Sequence, residues 1–148
     1  MFNYTLLDYY DKLDFDGYAP ANAATWNFGA WQADAVVLTI GHNDRFQAKS
    51  RDLWIAKYST FVHNTHSQYP NAEIFCANTS ISDDATSWKS AVLPLLSDPT
   101  LGGKIHFQLT RPVQPHGGHP RLVDHQGMAF GTSQWNSMVN WVADTLDW

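Results

Sequence analysis

The chain has 148 residues and a mass of 16.7 kDa, room for one domain with a core of its own but short for an open α/β sheet. Nine Lys and Arg against fourteen Asp and Glu leave a formal charge of −5 with no basic stripe, so a nucleic-acid role has no electrostatic footing. No apolar run approaches membrane-spanning length, and Met1-Phe2-Asn3-Tyr4 lacks the charged start and apolar stretch of a signal peptide.

Tyr4 to Leu13 reads as a short helix, and Asp14 to Ala33 as an irregular aromatic connection containing Gly17, Pro20 and Gly29. Three strand-then-helix units follow. The first strand is Asp34 to Ile40, and its helix runs from about Ser50 to Gln68 with Leu53, Trp54, Tyr58, Phe61 and Val62 as the apolar face. Tyr69-Pro70-Asn71 ends that helix. The second strand is Glu73 to Thr79; Ser82-Asp83-Asp84 then offers N-cap chemistry for a helix carrying Trp88, Val92 and Leu95, which Pro94 is expected to kink or shorten. The third strand, Lys104 to Thr110, is entered from Asp98-Pro99 and Gly102-Gly103. After a Pro/His/Gly loop, a last helix spans roughly Leu122 to Leu146 with Met128, Trp135, Met138, Val139, Val142 and Leu146 on one stripe.

Long apolar strands alternating with helices predict an α/β fold, a three-layer α/β/α arrangement around a parallel sheet of flavodoxin-like type. Such sheets usually have about five or six strands, so either the domain is incomplete at its N-terminus, which is the expectation, or the sheet is unusually small. The single cysteine, Cys76, lies in the apolar run Ile74-Phe75-Cys76-Ala77 and reads as a buried thiol; neither an intrachain disulfide nor a cysteine metal cage can form. Aromatic residues make up 14% of the chain, which reads first as core packing and only second as platforms for sugar rings.

Candidate chemistry gathers at two places. The strand ending at Ile40 runs into Gly41-His42-Asn43-Asp44, which delivers a side-chain amide to the carboxyl end of the sheet, where α/β proteins place their chemistry. Asn43 there is suited to stabilising an oxyanion, although Asn43 and Asp44 are equally readable as caps of the turn. His119, within His116-Gly117-Gly118-His119-Pro120, is placed to act as a general base on a hydroxyl nucleophile or, more plainly, to bond backbone. In a βαβ succession the loops after Ile40 and Thr110 open on one rim, so Asn43 and His119 are expected to share a cleft.

Gly41-His42-Asn43-Asp44 resembles the third block of the SGNH (GDSL-type) hydrolases. Gly118-His119-Pro120, followed by His125-Gln126-Gly127-Met128-Ala129, resembles their last block. Thr25-Trp26-Asn27-Phe28 and Tyr69-Pro70-Asn71-Ala72 further resemble the carbohydrate-esterase branch, and the likeness covers roughly residues 24 to 145. The resemblance implies a single SGNH-like domain, residues 1–148 being its C-terminal portion. It also implies a serine esterase that removes acyl, in the first place acetyl, groups from carbohydrate. Asn43 inherits the oxyanion role and His119 the base role, and no cofactor or resident metal is implied. The Gly-Asp-Ser block with the nucleophile and a clear second block are missing from the sequence, and Gly117 and His116 stand where an acid usually precedes the histidine. Asp124 does not match by spacing and receives no role. A missing N-terminal segment or a partner chain is then expected to complete the sheet.

Ser80 and Ser82 follow the second strand on the same rim but lie outside any nucleophile-elbow pattern, and a helix cap is the simpler role. Two other readings stand beside the esterase. His42, Asp44, His116, His119 and His125 offer ligands for a metal-dependent hydrolase. Trp26, Trp31 and Tyr18 offer a groove for a non-catalytic carbohydrate-binding remnant. The compartment is not fixed by the residues; the resemblance implies an extracellular one, and Asn3-Tyr4-Thr5 and Asn78-Thr79-Ser80 are glycosylation sequons.

Overall fold

A computed structural model describes residues 5–13, 20–41, 44–45, 48, 50–77, 85–108 and 129–148. In chain order the elements are α1 (Leu6–Tyr9), β1 (Ala35–Leu38), α2 (Arg51–Gln68), β2 (Glu73–Ala77), α3 (Ala85–Leu96), β3 (Ile105–Gln108) and α4 (Ala129–Leu146). Among the described residues the sheet has three strands in the order β1-β2-β3, both pairs parallel. The expected α/β architecture is therefore present, built from consecutive strand-helix-strand crossovers.

Register divides each strand between two faces. Val36, Ile74 and Ile105 lie abreast, as do Leu38, Cys76 and Phe107. Leu38, Ile74, Cys76 and Ile105 join Trp54, Tyr58, Phe61 and Val62 of α2 and Trp88, Ala91, Val92 and Leu95 of α3 in one core, so both crossover helices cover the same face. Phe75 points to the opposite face, where Trp141 of α4 meets it edge-on at 4.9 Å. His106 stacks on the same ring at 4.8 Å and ties β3 to β2 through Glu73 Oε2, 2.7 Å from its Nε2. These contacts give the three layers.

Several boundaries differ from the sequence reading for identifiable reasons. The first helix shrinks to Leu6–Tyr9, because Asp8 closes its first turn by accepting from the N–H and hydroxyl of Thr5, and the chain then leaves to form an isolated antiparallel bridge, Lys12 to Thr25. β1 stops at Leu38, two residues short of Ile40, as the chain turns toward Gly41. α2 matches its expected span: Ser50 Oγ accepts from Leu53 N at 3.1 Å, as an N-cap should. Leu53, however, is 42% exposed, since a 3.6-residue period that buries Trp54, Tyr58, Phe61, Val62 and Thr65 leaves position 53 on the flank. Pro94 does not shorten α3, which continues to Leu96; only the hydrogen bond to residue 90 is forgone, close to the helix end. In α4, Met138 is buried but Val139 is 60% exposed, while Trp141 faces the sheet. The expected ends of the second and third strands and the start of the last helix lie outside the described residues.

β1 has no partner on its outer side among the described residues, and Val37 is 43% exposed although it sits in the middle of the apolar run Ala35–Leu38. The first strand of the sequence reading is thus an edge strand in this chain.

Candidate active-site rim

The loop leaving β1 is built over an aromatic floor. Trp88 of α3 stands edge-on to Trp54 and to Tyr58 of α2, at 5.2 Å in each case, and Trp54 lies 5.4 Å from Tyr58. Gly41 crosses this floor with φ +110°. A Cβ there would stand 3.2 Å from Trp88 Cη2 and 3.6 Å from both Trp54 and Tyr58, so glycine is required by conformation and by the closeness of the approach. Below it, the Tyr58 hydroxyl faces Cys76. Burial first, and then the neighbouring thiol, push the phenol well above its ordinary value, and burial pushes Cys76 up to about 12. Neither group is poised to ionise.

Beyond Gly41, Asp44 and Arg45 are helical. Arg45 N donates to Gly41 O at 2.8 Å and Ala48 N to Asp44 O at 2.9 Å. Asp44 is 5% exposed, and its Oδ1 accepts from Leu7 N at 3.2 Å. That bond joins the rim to α1 across 37 residues of sequence. On the other side Arg45 Nε donates to Ser87 Oγ at 3.2 Å, and Arg51 donates to Thr86 O and Ser90 Oγ, fastening the loop and the start of α2 to α3. Gly41 is therefore held from beneath by three aromatic rings, and Asp44 and Arg45 are held from two sides by hydrogen bonds. Such fixation is what an oxyanion donor needs, because its stabilising power comes from not having to reorganise.

Asn43 and His119 themselves lie outside the described residues, as do His42, His116, His125, Ser80, Ser82 and Tyr18. Of the five ligands considered for a metal only Asp44 is described, and its carboxylate is engaged with the Leu7 amide. Trp26 and Trp31 are both exposed, Trp31 by 64%. Trp31 packs edge-on to Tyr69 at 6.4 Å. These two residues precede β1 and β2, so this aromatic patch sits at the entry ends of the strands, opposite the rim that Gly41 leaves. The sequence reading treated Asp44 as a cap or ligand and missed its tie to α1. Its only signal was an acidic residue beside the asparagine, too common to point to a partner so distant.

No protein-family model and no curated protein matches the chain. Solved structures do. An acetyl xylan esterase from the rumen bacterium Butyrivibrio proteoclasticus superposes with a TM-score of 0.68 at 17% identity, over 97% of this chain and 46% of its own. A family two carbohydrate esterase from Clostridium thermocellum in complex with cellohexaose gives 0.58 at 22% identity, over 91% and 43%. A carbohydrate esterase family 2 enzyme with a carbohydrate-binding domain from Myceliophthora fergusii gives 0.68 at 22% identity, over 99% and 46%. The chain spans under half the length of these structures and shares, over that span, the α/β fold of these carbohydrate esterases.

Proposed function

We propose that the chain is the C-terminal portion of an SGNH-type serine esterase that removes acetyl or similar acyl groups from carbohydrate. The observation that carries this reading is the anchoring of Gly41 and Asp44, the described residues of the Gly41-His42-Asn43-Asp44 block, beyond the carboxyl end of β1 on a fold shared with carbohydrate esterases. In the proposed reaction a serine from outside these 148 residues attacks the ester carbonyl. His119 takes the serine proton and returns it to the leaving sugar hydroxyl. The Asn43 amide stabilises the oxyanion, and water activated by His119 then hydrolyses the acyl-enzyme. Among the described residues the outer edge of β1 has no partner, which supports a further strand pairing there, from an upstream segment or a partner chain, and bringing the nucleophile to the carboxyl end of β1.

Two measurements test the proposal. A fluorophosphonate trap followed by intact-mass analysis should leave the 148-residue chain unlabelled and label the chain once the missing strand is supplied. In that completed protein His119→Ala should abolish hydrolysis of an acetyl ester, and Asn43→Ala should lower kcat by about a hundredfold or more, the usual cost of an oxyanion donor. Labelling of the 148-residue chain alone, or full activity in His119→Ala, would overturn the assignment.

A further inference from the structure

A groove of about 370 Å³ runs between α1 and the outer side of α2, away from the aromatic floor. Its size falls at the lower end of the ~300–1,000 Å³ typical of ligand sites. Phe61 and Tyr10 form an aromatic wall, their rings edge-on at 4.7 Å, and the Tyr10 hydroxyl is committed to Gln68 Oε1 at 2.8 Å. The polar lining is charged but balanced. Lys57 pairs with Asp8 at 2.9 Å, and Asp11 pairs with Lys12 at 3.1 Å. Between these pairs the groove presents Thr60, whose hydroxyl donates to Ala56 O and keeps its lone pairs for a donor, and the side-chain amide of Asn64, which makes no protein hydrogen bond among the described residues.

The lining itself carries two carboxylates and one ammonium, each already in an ion pair, Asp8 with Lys57 and Asp11 with Lys12 beside the groove, so an anion or a cation entering here has to compete with a pair already formed. A neutral ligand with vicinal hydroxyls fits better, since it can donate to Asp11 and Thr60, accept from Lys57 and Asn64, and lay its apolar face against Tyr10, the partly exposed ring of the two. We infer that this groove is a binding subsite for a neutral saccharide unit, separate from the catalytic rim and joined to it through Leu7, which lines the groove and donates its N–H to Asp44. The choice of saccharide rests on the proposed esterase function; the preference for a neutral polyhydroxyl ligand rests on the groove itself. Such a subsite would hold a polysaccharide chain beyond the unit being deacylated.

The test is titration of the isotopically labelled chain with xylotriose, which carries no ester and is read without turnover. Saturable amide shifts are expected at Tyr10, Asp11, Lys57, Thr60 and Asn64. Asn64→Ala should raise Kd by about three- to tenfold, the worth of one or two hydrogen bonds. Asn64→Trp, which fills the groove from an exposed helix position, should abolish the shifts while the rest of the spectrum stays in place. Silent groove amides at millimolar xylotriose, or unchanged affinity in Asn64→Trp, would overturn the inference. An active esterase with a silent groove would sink the subsite alone, and a groove that binds in a completed protein without esterase activity would sink the proposed function alone.

Discussion

Asp44 shows how one side chain can serve a site without touching substrate. Its carboxylate satisfies the buried Leu7 amide, and Asp44 directly follows Asn43 in the sequence. Removing the acceptor in Asp44→Ala leaves a buried N–H unpaired, which costs about 1–3 kcal/mol. Asp44→Asn keeps an oxygen in place of Oδ1 and should recover most of that loss. Urea unfolding midpoints check both variants, and equal destabilisation by the two would show that the carboxylate's charge, rather than its acceptor, holds α1. The Gly41-Asn43-Asp44 spacing was legible in the sequence because strand, turn and polar side chains are neighbours there. The partner of Asp44 was not, because a hydrogen bond to a backbone amide 37 residues upstream leaves no pattern in either segment.

At the scale of elements, periodicity placed the helices well and their exact faces less well. α2 was legible from cap to end, since Ser50 and Tyr69-Pro70 are local signals and Trp54, Tyr58, Phe61 and Val62 recur at helical spacing. An apolar residue at the margin of a stripe gives no such guidance: Leu53 and Val139 look like their buried neighbours, and only packing decides that both stay exposed. For α4 the deciding contact is Trp141 against Phe75 on the far face of β2. Trp141→Ala should therefore cost at least about 2 kcal/mol through lost aromatic packing and burial, whereas Val139→Ala should stay within about 0.5 kcal/mol. Thermal unfolding of the two variants separates them; a larger loss for Val139→Ala would mean that α4 is rotated about its axis.

The docking of α1 has a pH dependence whose sign follows from Asp8. Burial alone would raise this carboxyl, but the Lys57 ammonium and the N–H and hydroxyl of Thr5 outweigh it and hold it below the ordinary carboxylate value. A folded-state value below the unfolded one, near 3.9, contributes stability that is present above about pH 4 and fades as pH falls through the folded value. The pair is partly exposed, so its contribution is small at neutral pH. Asp8→Asn, which mimics the protonated carboxyl, should lower the neutral part of the stability curve slightly and leave its acid end nearly unchanged, so that the acid limb becomes shallower, as read by urea midpoints between about pH 2 and 7. An acid limb as steep in the variant as in the parent would place the responsible carboxylate elsewhere.

Across the whole molecule the decisive feature is asymmetry of the sheet. Among the described residues β2 is hydrogen-bonded on both sides and buried on both faces, whereas β1 and β3 each pair with β2 alone. The sequence signalled this deficit through its count of strands, yet it could not say which side of the sheet was open, because Ala35–Leu38 reads as a buried strand whichever neighbour it has. Exposure separates the two outer strands: Val37 of β1 is 43% exposed on the same face as the buried Phe75, whereas every residue of β3 is buried or half-buried. Open edges expose unpaired amides and invite further strands. In native-state hydrogen exchange of the 148-residue chain, the β2 amides should exchange only through global unfolding, while alternate amides of β1, those not bonded to β2, should exchange through far smaller openings. Supplying a strand that pairs with β1 should bring those amides to the protection of β2. Uniform protection along β1 in the chain alone would mean that another part of these residues, or a second copy, already covers the edge, and the nucleophile of the proposed esterase would then have to arrive by a different route.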